Sequence, residues 1–188
     1  MRVLLVVGPS GSGKDTLLRS ARKYFAGQEQ LAFVRRYITR PPDRNEDNYY
    51  LDSAAFTLLG NAGFFVSTWQ AHENLYGIPY HAMVDTDSSE GVVCSISRSA
   101  VVDFERRFAH TTTILVTARE EVLRQRLQRR GREDETAVRK RLARAEMAVV
   151  ARDLVVFDNS QDLERSTALF IELLERLGSR VAGQALAG

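Results

Sequence analysis

The stretch VVGPSGSGKDTLL, residues 6–18, decides the fold of this chain. Gly8 is followed by four residues and then by Gly13-Lys14, which is the spacing of a phosphate-binding loop. A β-branched apolar run precedes the loop and predicts a buried strand, and Leu17 begins an apolar pattern at helical spacing after it. Glycines let backbone N–H groups converge on an anion, and the helix adds its positive end. The sequence therefore predicts a strand, a loop that binds phosphates, and a helix.

Asp15 stands where such loops usually carry a Ser or Thr hydroxyl for magnesium. We interpret it as a carboxylate that acts on hydrated Mg²⁺ or as a favourable acid at the start of a helix. Kinases that hold Mg²⁺ mainly through phosphates and water tolerate this change, so no metal-ligating side chain is predicted. A switch GTPase would also need an Asp at the end of a later strand, and Val92–Ser97 has none. The predicted nucleotide-binding residues of the loop are Gly8, Pro9, Ser10, Gly11, Ser12, Gly13, Lys14, Asp15 and Thr16.

Length and composition indicate one soluble globular domain over residues 1–188. The chain is 44% hydrophobic and 27% charged, with a net charge of +2. The apolar run Val3–Val7 is too short to span a bilayer, and a single cysteine, Cys94, excludes an internal disulfide. We expect a cytoplasmic protein with no membrane partner, as a monomer or a homodimer.

Apolar runs alternate with helical patterns along the chain. The predicted strands are Arg2–Val7, Ala32–Ile38, Phe64–Trp69, Val92–Ile96, Thr111–Val116 and Leu154–Phe157, and the later predicted helices are Glu120–Arg130, Glu135–Arg152 and Leu163–Leu177. This alternation predicts an α/β fold, with a mostly parallel sheet covered by helices on both faces. Because the carboxyl ends of parallel strands meet at one edge, we expect the active site along that edge.

An arginine-rich segment between Arg119 and Arg152 is the second informative region. Arginines brought in by a closing segment stabilise the charge that phosphoryl transfer spreads over the phosphate oxygens, and Gly131 offers a joint. The alternative is a solvated, ion-paired surface, and interspersed acids argue against nucleic-acid binding. We predict a lid over residues 126–145, with phosphate-binding or catalytic Arg130, Arg132 and Arg141; Arg124, Arg129, Arg139 and Arg144 are assigned to the surface.

Together the loop and the arginine segment resemble the guanylate-kinase-like branch of P-loop kinases. Residues 126–142 match that family's RLxxRGxExxxxIxxRL pattern without a gap, with Val138 in place of Ile. The resemblance implies ATP and Mg²⁺ as cofactors, nucleotide contacts from Arg126 and Arg130, and catalytic roles for Lys14, Arg130 and Arg141. It also implies an acceptor-binding region over residues 36–90, in which Arg40 and Tyr76 hold the acceptor phosphate.

Departures from the guanylate kinase pattern bear on the substrate. Guanylate kinases read guanine with carboxylates, and this sequence has Thr68, Ser95 and Ser97 at those positions. The segments GPSGSGKD, RYITR at Arg36–Arg40 and Ser97-Arg98 resemble the ribose 1,5-bisphosphate phosphokinase family instead. That resemblance implies ATP-dependent phosphorylation of ribose 1,5-bisphosphate to 5-phospho-α-D-ribose 1-diphosphate in phosphonate catabolism. The implied acceptor-binding residues are Arg40, Tyr76, Arg98, Arg132 and Arg141.

Two alternatives to this reaction stay open at this point. One is another small-molecule kinase, such as a nucleoside monophosphate kinase, and the other is a non-catalytic guanylate-kinase-like binding module. The intact phosphate loop argues against the second alternative. Because an acceptor phosphate is already ionised at neutral pH, no general base is needed, so we expect structural or surface roles for His72, His81 and His110.

Overall fold

A computed structural model describes residues 1–42, 47–84, 90–129 and 148–179. Its centre is a five-stranded sheet in which every pairing is parallel. In chain order its strands are β1 (Arg2–Val7), β2 (Leu31–Val34), β7 (Gly91–Ser95), β8 (Thr111–Thr117) and β9 (Leu154–Asp158). The spatial order is β2-β7-β1-β8-β9. The predicted α/β fold is confirmed, and β1, which leads into the phosphate loop, lies in the middle of the sheet.

Helices cover the sheet on both faces. The described α-helices are α1 (Lys14–Tyr24), α2 (Ser53–Asn61), α3 (His81–Val84), α4 (Val101–Arg107), α5 (Glu120–Arg129) and α6 (Leu163–Gly178). One apolar cluster includes Leu17 of α1 and Phe170 of α6, and a second on the opposite face includes Phe104 of α4. Since all three side chains are fully buried, the sheet has an apolar core on each side.

A second, four-stranded sheet lies in the acceptor-binding region predicted from the sequence. It consists of β3 (Tyr37–Ile38), β4 (Tyr49–Tyr50), β5 (Phe65–Ala71) and β6 (Asn74–Pro79), in the order β4-β3-β6-β5. Strands β5 and β6 form an antiparallel hairpin, and β3 pairs with both β4 and β6. Aromatic packing, including Phe56 of α2 stacked on Phe65 at 4.7 Å, holds this unit together.

Two predicted elements differ from the structure. The predicted strand Ala32–Ile38 is wrong, because the chain leaves the central sheet after Val34 and pairs in the second sheet from Tyr37 onward. The predicted helix Glu135–Arg152 lies largely outside the described residues, and its last part is wrong since residues 148–152 are not helical. There Val149 and Ala151 pack against the apolar cluster of α4. Helices α2, α3 and α4 and strands β4 and β6 were not predicted.

The remaining predictions agree with the observed elements to within one or two residues at each end. The single cysteine, Cys94, is buried on β7 as expected for a small apolar side chain. Among the helices that the structure describes, none has the length and apolar character that crossing a bilayer requires.

Candidate active site

The loop between β1 and α1 has a backbone that only glycine adopts easily. Gly11 and Gly13 have φ values of 88° and 84°, in the left-handed region. The backbone N–H of Ser12 donates to the carbonyl oxygen of Pro9 at 3.2 Å, and the N–H of Thr16 donates to that of Gly13 at 3.1 Å. The second bond begins α1, so the loop ends directly at a helix N-terminus, where backbone N–H groups favour an anion.

Asn159, the residue after β9, stabilises this loop by a hydrogen bond. Its side chain is buried, and its Nδ2 donates to the carbonyl oxygen of Ser12 at 2.6 Å. The guanidinium of Arg126 on α5 donates to the same oxygen at 3.3 Å. A Cβ at position 13 would collide with the Asn159 amide, so Gly13 is required by a close neighbour as well as by its φ. Asn159 was not predicted as a site residue, and its position just after a predicted strand was the available signal in the sequence.

Lys14 and Asp15 open α1 and lie side by side in the site. Lys14 Nζ is 3.4 Å from Asp15 Oδ2, and Arg36 Nη2 is 3.5 Å from Asp15 Oδ1. The carboxylate thus lies between two cations, and it lies in the first turn of a helix, where negative charge is favourable. The interpretation of Asp15 as an acid at a helix start agrees with this position. Its predicted contact with hydrated magnesium stays a prediction.

Arg36 connects the loop to the acceptor-binding region. Its Nη1 donates to the Ser95 hydroxyl at the end of β7 at 3.2 Å, and its guanidinium carbon lies 5.8 Å from the centroid of the Tyr76 ring. Tyr76 in turn stacks on Trp69, with ring centroids 5.7 Å apart and planes inclined by 8°. Arg36 belongs to the RYITR segment, and no local sequence signal assigned it a role. Its neighbours place it between the predicted donor and acceptor sites.

Two predicted acceptor residues, Arg40 and Arg98, follow the carboxyl ends of β3 and β7. Arg40 follows β3, where the Asn48 amide donates to the carbonyl oxygen of Arg40 at 3.1 Å. Arg98 begins a short 3-10 turn, Arg98–Ala100, three residues after the Ser95 hydroxyl that Arg36 contacts. Partial burial lowers the pKa of Arg98 below that of a free guanidinium. Burial likewise lowers the pKa of Arg126, while nearby Asp158 acts in the opposite sense.

Some of the predicted site residues lie outside the described part of the chain, and the others lie in the phosphate loop. Arg130, Arg132 and Arg141, and with them most of the predicted lid, lie outside the described residues, so their roles stay predictions. The remaining loop residues Gly8, Pro9, Ser10 and Thr16 lie as the motif predicts, between β1 and the first turn of α1.

The three histidines lie away from the phosphate loop contacts described above. The His81 ring packs 5.3 Å from Phe64, and His72 occupies a turn in which its carbonyl oxygen accepts from Asn74 Nδ2 at 2.7 Å. His110 is exposed, and its carbonyl oxygen accepts from the N–H of Val3 at 2.8 Å. These contacts agree with the structural and surface roles expected for all three.

Hydroxyl side chains stand at the positions where guanylate kinases carry the carboxylates that bind guanine. Thr68 is exposed on β5, and the Ser95 hydroxyl accepts from Arg36. A nearby carboxylate, Asp103, accepts a hydrogen bond from Ser67 at 2.6 Å. At these positions the chain therefore offers hydroxyl groups, rather than carboxylates, to an acceptor.

The loop and the residues around it are suited to bind the phosphate groups of a nucleoside triphosphate. The two left-handed glycines, the helix N-terminus and Lys14 form a cradle for phosphates. The Ser12 hydroxyl oxygen is buried and has no hydrogen-bond partner in the described part of the chain, so a polar group is missing there. No group of three or more acids, histidines or cysteines suited to a metal occurs among the described residues.

Comparisons with known proteins agree with this geometry. The guanylate kinase family profile matches residues 1–176. The ribose 1,5-bisphosphate phosphokinase PhnN of Desulfomicrobium baculatum is 40% identical over 177 residues, which cover 93% of this chain and 95% of that protein. The protein of the same name from Rhizobium etli is 38% identical over 181 residues, covering 95% and 92%.

Among solved structures, guanylate kinase from Anaplasma phagocytophilum has the same fold, with a TM-score of 0.63 at 19% identity over 96% of this chain and 87% of that chain. The fold, the phosphate loop and the relatives lead to one assignment. The chain belongs to the guanylate kinase family and, within it, to the ribose 1,5-bisphosphate phosphokinases.

Proposed function

We propose that this protein transfers the γ-phosphoryl group of ATP to the 1-phosphate of ribose 1,5-bisphosphate. The products are ADP and 5-phospho-α-D-ribose 1-diphosphate. The observation that carries the proposal is the position of the Arg36 guanidinium, which donates to Ser95 and lies 3.5 Å from Asp15 beside the phosphate loop, because it offers an acceptor a cation rather than a base-reading carboxylate. A sugar with two phosphates needs cations of this kind, whereas a guanine needs acceptors for its N–H groups.

On the donor side, the loop Gly8–Thr16 binds the phosphates of ATP. Its backbone N–H groups and the Lys14 ammonium bind the same phosphates. Arg126 and Asn159 stabilise the loop by donating hydrogen bonds to the Ser12 carbonyl oxygen. Magnesium, when bound with ATP, supplies positive charge that offsets repulsion between the phosphates. No side chain of the described residues is assigned as its ligand.

On the acceptor side, Arg40, Tyr76 and Arg98 bind the sugar bisphosphate, and the sequence predicts that Arg130, Arg132 and Arg141 also bind phosphate groups. The 1-phosphate is already ionised at neutral pH, so its oxygen attacks without a general base. The contribution of the protein is therefore to neutralise charge and to align the two phosphates. Use of ATP makes the cytoplasm the expected compartment, and we assign the reaction to phosphonate breakdown.

A product screen tests this function. The purified chain is incubated with ATP and Mg²⁺ and, separately, with ribose 1,5-bisphosphate, ribose 5-phosphate, GMP or AMP, and products are identified by mass. We expect one added phosphoryl group on ribose 1,5-bisphosphate and ADP in equal amount. Efficient formation of GDP with no product from the sugar would refute the proposal in favour of a nucleoside monophosphate kinase. No transfer to any acceptor would favour a binding module.

A further inference from the structure

We propose that Arg36 binds the attacking 1-phosphate of the acceptor, and that Asp15 positions Arg36 for this contact. This inference rests on the proposed function and adds to it a residue that the sequence motifs left without a role. It also gives a reason for the carboxylate at position 15, where a hydroxyl is usual.

The location of Arg36 is the first argument. One nitrogen of its guanidinium lies 3.5 Å from Asp15, the residue that follows the loop lysine, and the other donates to Ser95 at 3.2 Å. Its guanidinium carbon lies 5.8 Å from the ring centroid of Tyr76, a predicted acceptor residue. The acceptor oxygen that attacks must approach the γ-phosphate close to Lys14. A guanidinium in contact with the residue next to Lys14 is therefore placed for the 1-phosphate rather than for the distant 5-phosphate.

The balance of charge is the second argument. Asp15 is shared by two cations, since Lys14 Nζ lies 3.4 Å from one carboxylate oxygen and Arg36 Nη2 lies 3.5 Å from the other. Strong charge-assisted hydrogen bonds between nitrogen and oxygen are shorter, about 2.7–2.9 Å. The three side chains together carry one net positive charge, and neither ion pair has the geometry of a tight bond. The net positive charge of these three side chains still favours an incoming phosphate anion.

Preorganisation is the third argument. The Arg36 side chain is only 13% exposed, and it is held on three sides by a carboxylate, a hydroxyl and an aromatic face. A planar guanidinium fixed in this way loses little side-chain freedom when it binds a phosphate. Lysine cannot reproduce these contacts, because its ammonium is a compact charge that cannot donate in two fixed directions. Asp15 is then a positioning residue, which acts on the acceptor through Arg36.

Binding measured without turnover tests the role of Arg36. Dissociation constants for ribose 1,5-bisphosphate and for ribose 5-phosphate, which lacks the 1-phosphate, are determined by calorimetry for the wild type, Arg36→Ala and Arg36→Lys. We expect Arg36→Ala to raise the dissociation constant for ribose 1,5-bisphosphate by about 10- to 100-fold. The dissociation constant for ribose 5-phosphate should rise by less than about 3-fold. Arg36→Lys should recover part of the loss. Arg35→Ala is the matched control and should change neither constant, because Arg35 is 43% exposed and pairs with Asp47.

A double-mutant cycle tests the role of Asp15. Asp15→Asn keeps the shape of the side chain and removes its charge, so in the wild-type background it should raise the dissociation constant for ribose 1,5-bisphosphate. In the Arg36→Ala background the same change should raise that constant by less than about 2-fold. The KM for ATP, measured in the same variants, should change less than the KM for the acceptor. Melting temperatures confirm that each variant is folded.

The outcomes separate this inference from the proposed function. Equal weakening of both sugar ligands by Arg36→Ala, or no weakening of either, would overturn the assignment of Arg36 while the wild-type reaction stands. An Asp15→Asn effect of the same size in both backgrounds would overturn the positioning role. Failure of the wild type to phosphorylate ribose 1,5-bisphosphate would overturn the proposed function, and this inference with it.

Discussion

Replacing Gly13 by alanine should destabilise the protein through two separable effects. The first is the left-handed backbone, since φ is 84° at this position, and a Cβ in that conformation costs roughly 1–2 kcal/mol. The second is crowding, since the new Cβ would collide with the amide of Asn159, and overpacking a filled site costs about 1–3 kcal/mol. Together they predict a loss of about 2–5 kcal/mol in the free energy of unfolding.

Gly27 provides a matched control for the backbone effect. Its φ is 79°, close to that of Gly13, and a Cβ there would meet nothing within 4 Å. Gly27→Ala should therefore cost only the backbone contribution, roughly 1–2 kcal/mol. The difference between the two variants, about 1–3 kcal/mol, measures the contact between the phosphate loop and Asn159.

Urea denaturation monitored by circular dichroism gives the free energies of unfolding for both variants and for Asn159→Ala. Removing the Asn159 amide relieves the collision, so in that background Gly13→Ala should cost no more than Gly27→Ala. The Ser12 carbonyl keeps its bond from Arg126, so Asn159→Ala alone should cost only about 1–2 kcal/mol. If Gly13→Ala is no worse than Gly27→Ala, or if its cost is unchanged without the Asn159 amide, the proposed packing beneath the loop is wrong.

Three further predictions concern chemistry and accessibility. Lys14→Ala should lower kcat by about 100-fold or more with an unchanged melting temperature, because the loop loses its ammonium but not its packing; full activity in a steady-state ADP assay would eliminate the loop assignment. Arg98→Asp should raise the KM for the acceptor more than the KM for ATP, since Arg98, just after β7, is proposed to bind the acceptor; equal loss of both would contradict that proposal. Cys94 should resist iodoacetamide at pH 8 in the folded protein and react in urea, because burial raises the pKa of its thiol; rapid labelling without urea would show that the thiol is accessible. Since the folded state keeps this proton, its contribution to stability should be complete below about pH 8.5 and fall as the pH rises above that value.

Local sequence determined the elements whose signals lie within one segment. The loop at residues 8–14 requires glycine at left-handed positions and a lysine at a helix start, so both the strand before it and the helix after it could be predicted. The strand predicted at Val92–Ile96 was evident because four of its five residues are apolar, which is typical of a strand buried on both faces, and the observed strand is Gly91–Ser95. These features depend on neighbours along the chain, and they were sufficient for the fold and the family.

Tertiary structure decided which distant residues meet. The run from residue 32 to residue 38 was predicted as one strand, and only pairing with two different partners divides it between two sheets at Arg35 and Arg36. That division turns Arg36 toward Asp15 and Ser95, which lie 21 and 59 residues away in sequence. Asn159 likewise meets Ser12 across 147 residues. Such contacts arise from how strands are ordered in the sheet, and neither composition nor local periodicity encodes that order.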